Sequence, residues 1–346
     1  MKRILETVGG TPGKCVRNVR VALEQGPVSL PVRVARGRKD GPVLVAAAGE
    51  HGTEVNGIAV IDRIFQEVSC DRLRGTLVAV PAINPWNVRG RGFPPGVEDP
   101  SPWDTCYRWP GDVAGTPAER ITATLAATVM DDADVVINIH AWSWYSSSCA
   151  FTWRGDPRSV RLAKVFGLPF VDFSFPRYCE GRKEKLHPRH NMLTQYILSR
   201  GKSAMLVELR THHWQFPESV AAGLRGLRNV MISLGMLPGE VSLPTRQFES
   251  TGKEEVVRAS HRGLYVPLKE IGDRVRKDEM LGYLLDMETG RRTEVKSPCA
   301  GGVWLNSRVG PGQCALEDLH SYADRGDMLA MIKHIRVSTS IGECQR

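Results

Sequence analysis

Apolar residues along the chain fall into short continuous runs that alternate with segments of helical spacing, the pattern of an α/β protein. Residues 43–48 (VLVAAA) form an uninterrupted run of small apolar side chains, as a strand buried on both faces requires. Apolar positions then recur at Val55, Ile58, Ile61, Ile64 and Phe65 with the spacing of a helix, and residues 76–81 (TLVAVP) make a second buried strand. Strand, helix and strand in that order predict a right-handed crossover in a largely parallel or mixed sheet. Further along, the pattern predicts a helix over 118–130, capped by Thr116 and opened by Pro117. Strands follow over 134–139 (DVVINI), 150–153 and 203–207 (SAMLV), with helices over 157–166, 191–200 and 217–234. Residues 27–37 alternate apolar and polar like an antiparallel strand, whereas the stretch before them is poorly patterned.

Two regions depart from this rhythm. Residues 84–112 carry six Pro and four Gly with no period; a loop this long in a compact domain is usually functional, and it is expected to line an active-site mouth. From Val256 onward the chain turns to short β segments with Gly-rich turns, which suggests a small barrel or sandwich. The expected fold is therefore α/β, with a mixed central sheet flanked by helices on both faces. Residues 1–250 would form the catalytic domain, 251–336 a smaller C-terminal β domain and 337–346 a tail.

Length and composition agree with a large domain plus a smaller one: 346 residues, 42% hydrophobic and 24% charged. No apolar run reaches the length of a membrane span, and the N-terminus lacks the apolar core of a signal peptide, so a cytoplasmic protein without a membrane partner is expected. The eight cysteines are scattered with no CxxC pair, which argues against a disulfide framework or a thiolate zinc site. A net charge of +8 raises the question of nucleic acid, but Lys and Arg are interspersed with Asp and Glu, and the densest basic stretch, 177–189, is broken by Pro and Gly. Nucleic acid is not expected as a partner.

The candidate chemistry sits at strand ends. The first buried run closes on His51-Gly52-Thr53-Glu54, the third on His140 and the last on Glu208. In an open α/β sheet, the carboxyl ends of strands face the crevice where ligands bind. Each residue alone reads as a cap or a surface group, yet three such ends together point to one site. Two imidazoles and a carboxylate suit zinc and leave a fourth position open, as catalytic zinc sites do. His51, Glu54 and His140 are the expected ligands of one zinc per chain. Glu208 is then free to act as general base on a zinc-bound water and to return the proton to a leaving amine. Trp142 and Trp144 follow His140 closely and are candidates to line an acyl pocket, while His212 and His213 read as a loop pair.

The HGTE tetrad, the Asn84-Pro85 pair, INIHAW and VELR together resemble the succinylglutamate desuccinylase/aspartoacylase family, relatives of the zinc carboxypeptidases. The resemblance covers roughly residues 41–234 and extends into the phrases GLYVP, IGDRVRKDEMLGYL and SPCAGGV of the C-terminal β region. It implies zinc on His51, Glu54 and His140, with Glu208 at the family's catalytic glutamate and Asn84 among the substrate-binding positions. The family also uses a loop arginine to polarise the scissile carbonyl, and Arg89 or Arg91 falls near it. An Asn-Arg pair before a Phe-Pro-Gly phrase holds the substrate carboxylate in the family. Here the chain reads Tyr107-Arg108-Trp109-Pro110-Gly111, so Arg108 matches and Tyr107 replaces the amide. The segment 287–303 resembles a lipoyl hairpin, but Gly290, Arg291 and Arg292 occupy the tip where a modifiable Lys would stand.

The expected function is a zinc-dependent amidohydrolase that deacylates an N-acyl amino acid or a similar small acylated amine. The alternatives are a metallocarboxypeptidase on small or modified peptides and a non-catalytic module binding through its basic surface. Homo-oligomerisation is left open.

Overall fold

A computed structural model describes residues 3–24, 26–90, 101–142, 147–173, 191–211, 213–309 and 321–337. Helix α1 (Ile4–Val8) leads into β1 (Gly13–Val21), β2 (Val28–Arg36), β3 (Lys39–Ala48), α2 (Val55–Glu67) and β4 (Arg74–Val80). The long irregular segment holds the short helix α3 (Pro85–Arg89). Then come α4 (Pro117–Thr128), β5 (Val135–Ala141), β6 (Cys149–Phe151), α5 (Pro157–Phe166) and β7 (Phe170–Asp172). Helix α6 (Leu193–Ser199), β8 (Ser203–Leu209) and α7 (Pro217–Ser233) follow. The C-terminal part is all β: β9 (Phe248–Arg258), β10 (Gly263–Pro267), β11 (Arg274–Val275), β12 (Met280–Leu285), β13 (Arg292–Lys296), β14 (Gly301–Val309), β15 (Tyr322–Ala323) and β16 (Met328–Val337).

The main sheet runs β1-β2-β4-β3-β5-β8-β6-β7-β9-β16-β14-β11, and a second sheet runs β13-β12-β10-β15. Its centre, β4, β3, β5 and β8, is parallel, with antiparallel neighbours at β2 and β6, so the sheet is mixed as expected. Alternation along β3 sends Leu44, Ala46 and Ala48 to one face and Val45 and Ala47 to the other. The first face packs on α2, α5 and α7 through residues such as Ile61, Ile64, Phe166, Leu224 and Leu227. The second packs on α4 and α6 through Ile121, Leu125, Leu193 and Ile197. Being covered on both sides is why these strands read as unbroken apolar runs.

Close approach of α2 to the strand ends is what brings the HGTE turn to the sheet. A Cβ on Gly57 would lie 2.8 Å from the Ile139 carbonyl oxygen and 2.9 Å from the Ala48 Cβ, so only glycine lets the first turn of α2 sit there. On the other face, α4 starts in a capping box: the Thr116 hydroxyl accepts from the Glu119 amide, and Glu119 accepts from the Thr116 amide.

Some elements lie outside the sequence pattern. Strand β1 is an edge strand whose side chains are mostly exposed, which is why its stretch shows no apolar alternation. Strand β9 starts before the expected domain boundary at residue 250 and pairs in parallel with β7, so the main sheet continues across that boundary into the C-terminal strands. Trp304 of β14 is buried there, with ring centroids 5.6 Å from Phe170, 6.0 Å from Phe151 and 6.4 Å from Trp142. Lys333 of β16 lies with its ammonium 4.0 Å from the Trp304 ring centroid and pairs with Asp172 of β7, which has no exposed surface. Removing one member of a buried ion pair leaves the other uncompensated. Lys333→Ala is therefore expected to destabilise the fold by about 3–5 kcal/mol, measured as a lowered midpoint in urea; an unshifted midpoint would show that Asp172 finds another partner. Among the described residues, no helix is long and apolar enough to cross a membrane.

Candidate metal centre and active site

Strand β3 delivers the chain to a turn in which Gly49 takes φ 64°, and the residues that follow, Glu50 to Glu54, fold back over the sheet end. Glu54 occupies the N-cap position of α2, yet its side chain makes no capping hydrogen bond. It lies between two imidazoles instead: Oε1 is 2.8 Å from His51 Nδ1 and Oε2 is 2.8 Å from His140 Nδ1. The two imidazole rings meet edge to face with centroids 5.1 Å apart. One donor atom from each of His51, Glu54 and His140 lies within 4.8 Å of the others, the spacing of a group that can share a cation.

His140 is set by the register of the sheet. It lies in β5 directly opposite Glu208 of β8, and Glu208 in turn faces Cys149 of β6. The Glu208 Oε2 atom is buried with no hydrogen-bond partner. Two residues before His140, on the same strand face, Asn138 donates from Nδ2 to Glu50 Oε2 at 2.9 Å. The same Glu50 oxygen lies 3.1 Å from His140 Nε2. His140 Nε2 also lies 2.9 Å from Asn138 Nδ2, so this nitrogen faces Glu50 and Asn138 while Nδ1 faces Glu54, and the outer carboxylate orients the ring. His51 has a longer outer contact, Nε2 to Asp104 Oδ1 at 3.8 Å.

The electrostatics favour positive charge at this place. Burial works against a charged His140, but the Glu54 charge, hydrogen bonds to Glu50 and Glu54, and the Glu208 charge push it well above the usual imidazole range. For His51 burial again opposes, and Glu54 overcomes it, raising the group to about 9. Glu54 and Glu50 are both buried, which alone would raise them. The charge of His140 leads in lowering Glu54, with His51 adding to it, while the His140 hydrogen bond leads in lowering Glu50. Glu208 goes the other way: burial first and the Glu54 charge second raise it to about 8, against the pull of the two imidazoles. Two neutralisable imidazoles and the carboxylate between them are a donor set that suits a divalent cation such as zinc.

The loop 103–109 closes the site. Asn84 is fully buried: its Nδ2 donates to the Trp103 carbonyl at 2.7 Å, and its Oδ1 accepts from the Asn87 amide at the start of α3. Asn84 therefore shapes the loop, and both ends of its amide are used in doing so. Trp109 is also buried, pairs through its backbone with Asn191, and donates from Nε1 to Glu50 Oε1 at 2.8 Å. Arg108, beside it, is half-buried; its Nε is buried with no hydrogen-bond partner, and no carboxylate pairs with it among the described residues. Tyr107 is 49% exposed and Trp142 is 38% exposed. Arg89 ends α3 with an exposed side chain and no bond to the cluster among the described residues. Arg91, Trp144 and His212 lie outside the described residues, as does the basic stretch 177–189.

No family model matches the chain. Among solved structures, the succinylglutamate desuccinylase/aspartoacylase of Rhodobacter sphaeroides aligns with a TM-score of 0.72 at 21% identity, over 94% of this chain and 97% of that one. The chain has the succinylglutamate desuccinylase/aspartoacylase fold. The resemblance carried by HGTE, INIHAW and VELR thus extends to the whole architecture. The product-bound ectoine utilization protein EutE (DoeB) of Ruegeria pomeroyi has the same fold, with a TM-score of 0.69 at 21% identity over 94% and 96% of the two chains. A curated protein, the N-alpha-acetyl-L-2,4-diaminobutyric acid deacetylase of Halomonas elongata, is 24% identical over 276 residues, 76% of this chain and 75% of that protein.

Sequence reading had placed His51, Glu54, His140 and Glu208 at converging strand ends, and the structure brings these four together. Glu50, Asn138, Asp104 and Trp109 escaped it. Asn138 had one available signal, since it lies two residues before His140 and so shares its strand face.

Proposed function

We propose that this chain is a metal-dependent amidohydrolase that removes the acyl group from an N-acylated amino acid, with residues 251–336 as an accessory β region beside a carboxypeptidase-like sheet. The observation that supports it most is Glu208, a half-buried carboxylate whose Oε2 atom is buried with no hydrogen-bond partner among the described residues, on the strand beside His140 of the His51-Glu54-His140 donor group. His51, Glu54 and His140 would hold one zinc ion. When bound, zinc polarises a carbonyl and lowers the pKa of a water to about 7.

The remaining work falls to protein side chains. Hydrolysis puts a water oxygen on the acyl carbon, breaks the C–N bond and protonates the leaving nitrogen. Glu208 takes the water proton at its free oxygen and passes it to that nitrogen. That oxygen is buried, which keeps the transferred proton from bulk solvent. Arg108 clamps the substrate carboxylate, its guanidinium fork matching two parallel hydrogen bonds. Tyr107, at the mouth, contributes a phenol where the resembling family has an amide. Arg89 or Arg91 serves the developing oxyanion, and Trp142, with Trp144, lines the acyl side.

Arg108→Ala is expected to raise KM for carboxylate-bearing substrates by about 10–100-fold, the worth of a charge-assisted hydrogen bond pair, with kcat little changed. An unmoved KM would place the carboxylate elsewhere. The reading as a whole is tested on a panel of N-acetyl, N-succinyl and longer N-acyl amino acids, with release of free amine as the signal. The name of the Halomonas relative puts N-acetylated diaminobutyrate first on that panel. Amine release from one acyl class supports a deacylase; release only from unacylated dipeptides would make the chain a carboxypeptidase instead.

A further inference from the structure

We infer that Glu50 is a positioning residue that holds the metal ligand His140 with one carboxylate oxygen and the substrate loop, through Trp109, with the other. This rests on the proposed metal centre and on Arg108 as the substrate clamp.

Glu50 is only 1% exposed. A carboxylate so deep is costly unless hydrogen-bonded and paired, and the partners of Glu50 are divided between its two oxygens. Oε2 accepts from Asn138 Nδ2 at 2.9 Å and lies 3.1 Å from His140 Nε2. Oε1 accepts from Trp109 Nε1 at 2.8 Å. The main-chain carbonyl of Glu50 also accepts from the Thr105 hydroxyl at 3.4 Å, so the loop meets this residue twice. On the metal side, Glu50 Oε2 and Asn138 Nδ2 both meet His140 Nε2, at 3.1 and 2.9 Å, while Nδ1 faces Glu54, and a carboxylate behind a ligand imidazole orients its ring and raises its basicity. On the substrate side, the indole of Trp109 is anchored while its neighbour Arg108 keeps its Nε buried without a partner. One carboxylate thus ties two elements far apart in sequence, β5 and the 103–109 loop, to the turn that carries His51 and Glu54. The bland alternative is a buried charge that merely fills the strand end. A filler would not divide its oxygens between a ligand imidazole and a loop indole.

The test compares the full chain with Glu50→Gln, which keeps shape and an acceptor oxygen but removes the charge. Zinc affinity, measured by competition with a chromophoric chelator, is expected to weaken by about 10–100-fold with the melting transition retained. Should Glu50→Gln not fold, Asn138→Ala removes one donor to the same oxygen and is expected to weaken zinc by about threefold to tenfold, the worth of one hydrogen bond. Trp109→Phe is expected to leave zinc affinity in place and raise KM about tenfold, the worth of a hydrogen bond to a charged group. A folded Glu50→Gln or Asn138→Ala chain with the zinc affinity of the unaltered chain would overturn the role at His140, and an unchanged KM in Trp109→Phe would overturn the role at the loop. The zinc measurement needs no substrate, so a wrong substrate class leaves it readable. No zinc uptake by the unaltered chain would overturn the metal centre itself, and the inference with it.

Discussion

Glu208→Gln is expected to lower kcat by about 10²–10⁴-fold, the usual share of a positioned acid–base group, while the chain keeps its zinc. The expectation follows from where Glu208 stands. It lies beside His140 in the sheet register, and one of its oxygens is buried with no hydrogen-bond partner among the described residues. An oxygen that stabilises nothing in the protein is available for a reacting proton. Burial and the Glu54 charge raise the group in the cation-free site, and a cation held by the neighbouring donors would favour the carboxylate form that accepts a proton. Gln has the same shape and cannot carry that proton, so KM and zinc content should hold while kcat falls. A variant that keeps its turnover would remove Glu208 from proton transfer, and one that loses zinc as well would show Glu208 to be a ligand.

His140→Ala should have the other large effect, a loss of zinc affinity on the order of 10²-fold or more, beyond the roughly 10–100-fold typical of an outer partner. Two consequences separate this change from Glu208→Gln. His140 is only 2% exposed, so its loss opens space in the sheet end, and Glu50 loses one of its three side-chain partners. Turnover, zinc content and melting temperature should therefore fall together, with zinc lost even when the protein is assayed well below its melting transition. A folded His140→Ala chain with unaltered zinc content would mean that the cation is held elsewhere.

The parts of this site that were legible in the sequence share one physical property. Buried parallel strands are mostly apolar, so a titratable residue at the end of such a run stands out, and His140 and Glu208 are such residues. His51 and Glu54 show in the same way, because the period changes from strand to helix around them. Glu50 stands out no less in composition, but nothing in the one-dimensional pattern says that it turns inward. Its burial depends on Trp109 and Asn138, which reach it from other elements. Asn84 is a second case. The motif match singled it out as a substrate position, but nothing in the one-dimensional pattern says that its amide caps α3 and holds the Trp103 carbonyl.

The same logic applies to the fold. The central sheet and its helices followed from periodicity, since each has a face or a core to bury. Strand β7 has three residues, too few to establish a period, and β9 opens with Phe248, Glu249 and Ser250, a mixed run. Its burial is polar: Glu249 is 4% exposed and held by Lys164 at 2.7 Å and Arg336 at 2.6 Å. A strand secured by ion pairs leaves no apolar signature.

Metal dependence of amine release tests the central claim most directly. The purified chain should carry close to one zinc per molecule by elemental analysis and release amine from an N-acyl amino acid. Stripping the zinc with a chelator should abolish that release, and added zinc should restore it. Full activity in a chain shown to be free of metal would contradict the account.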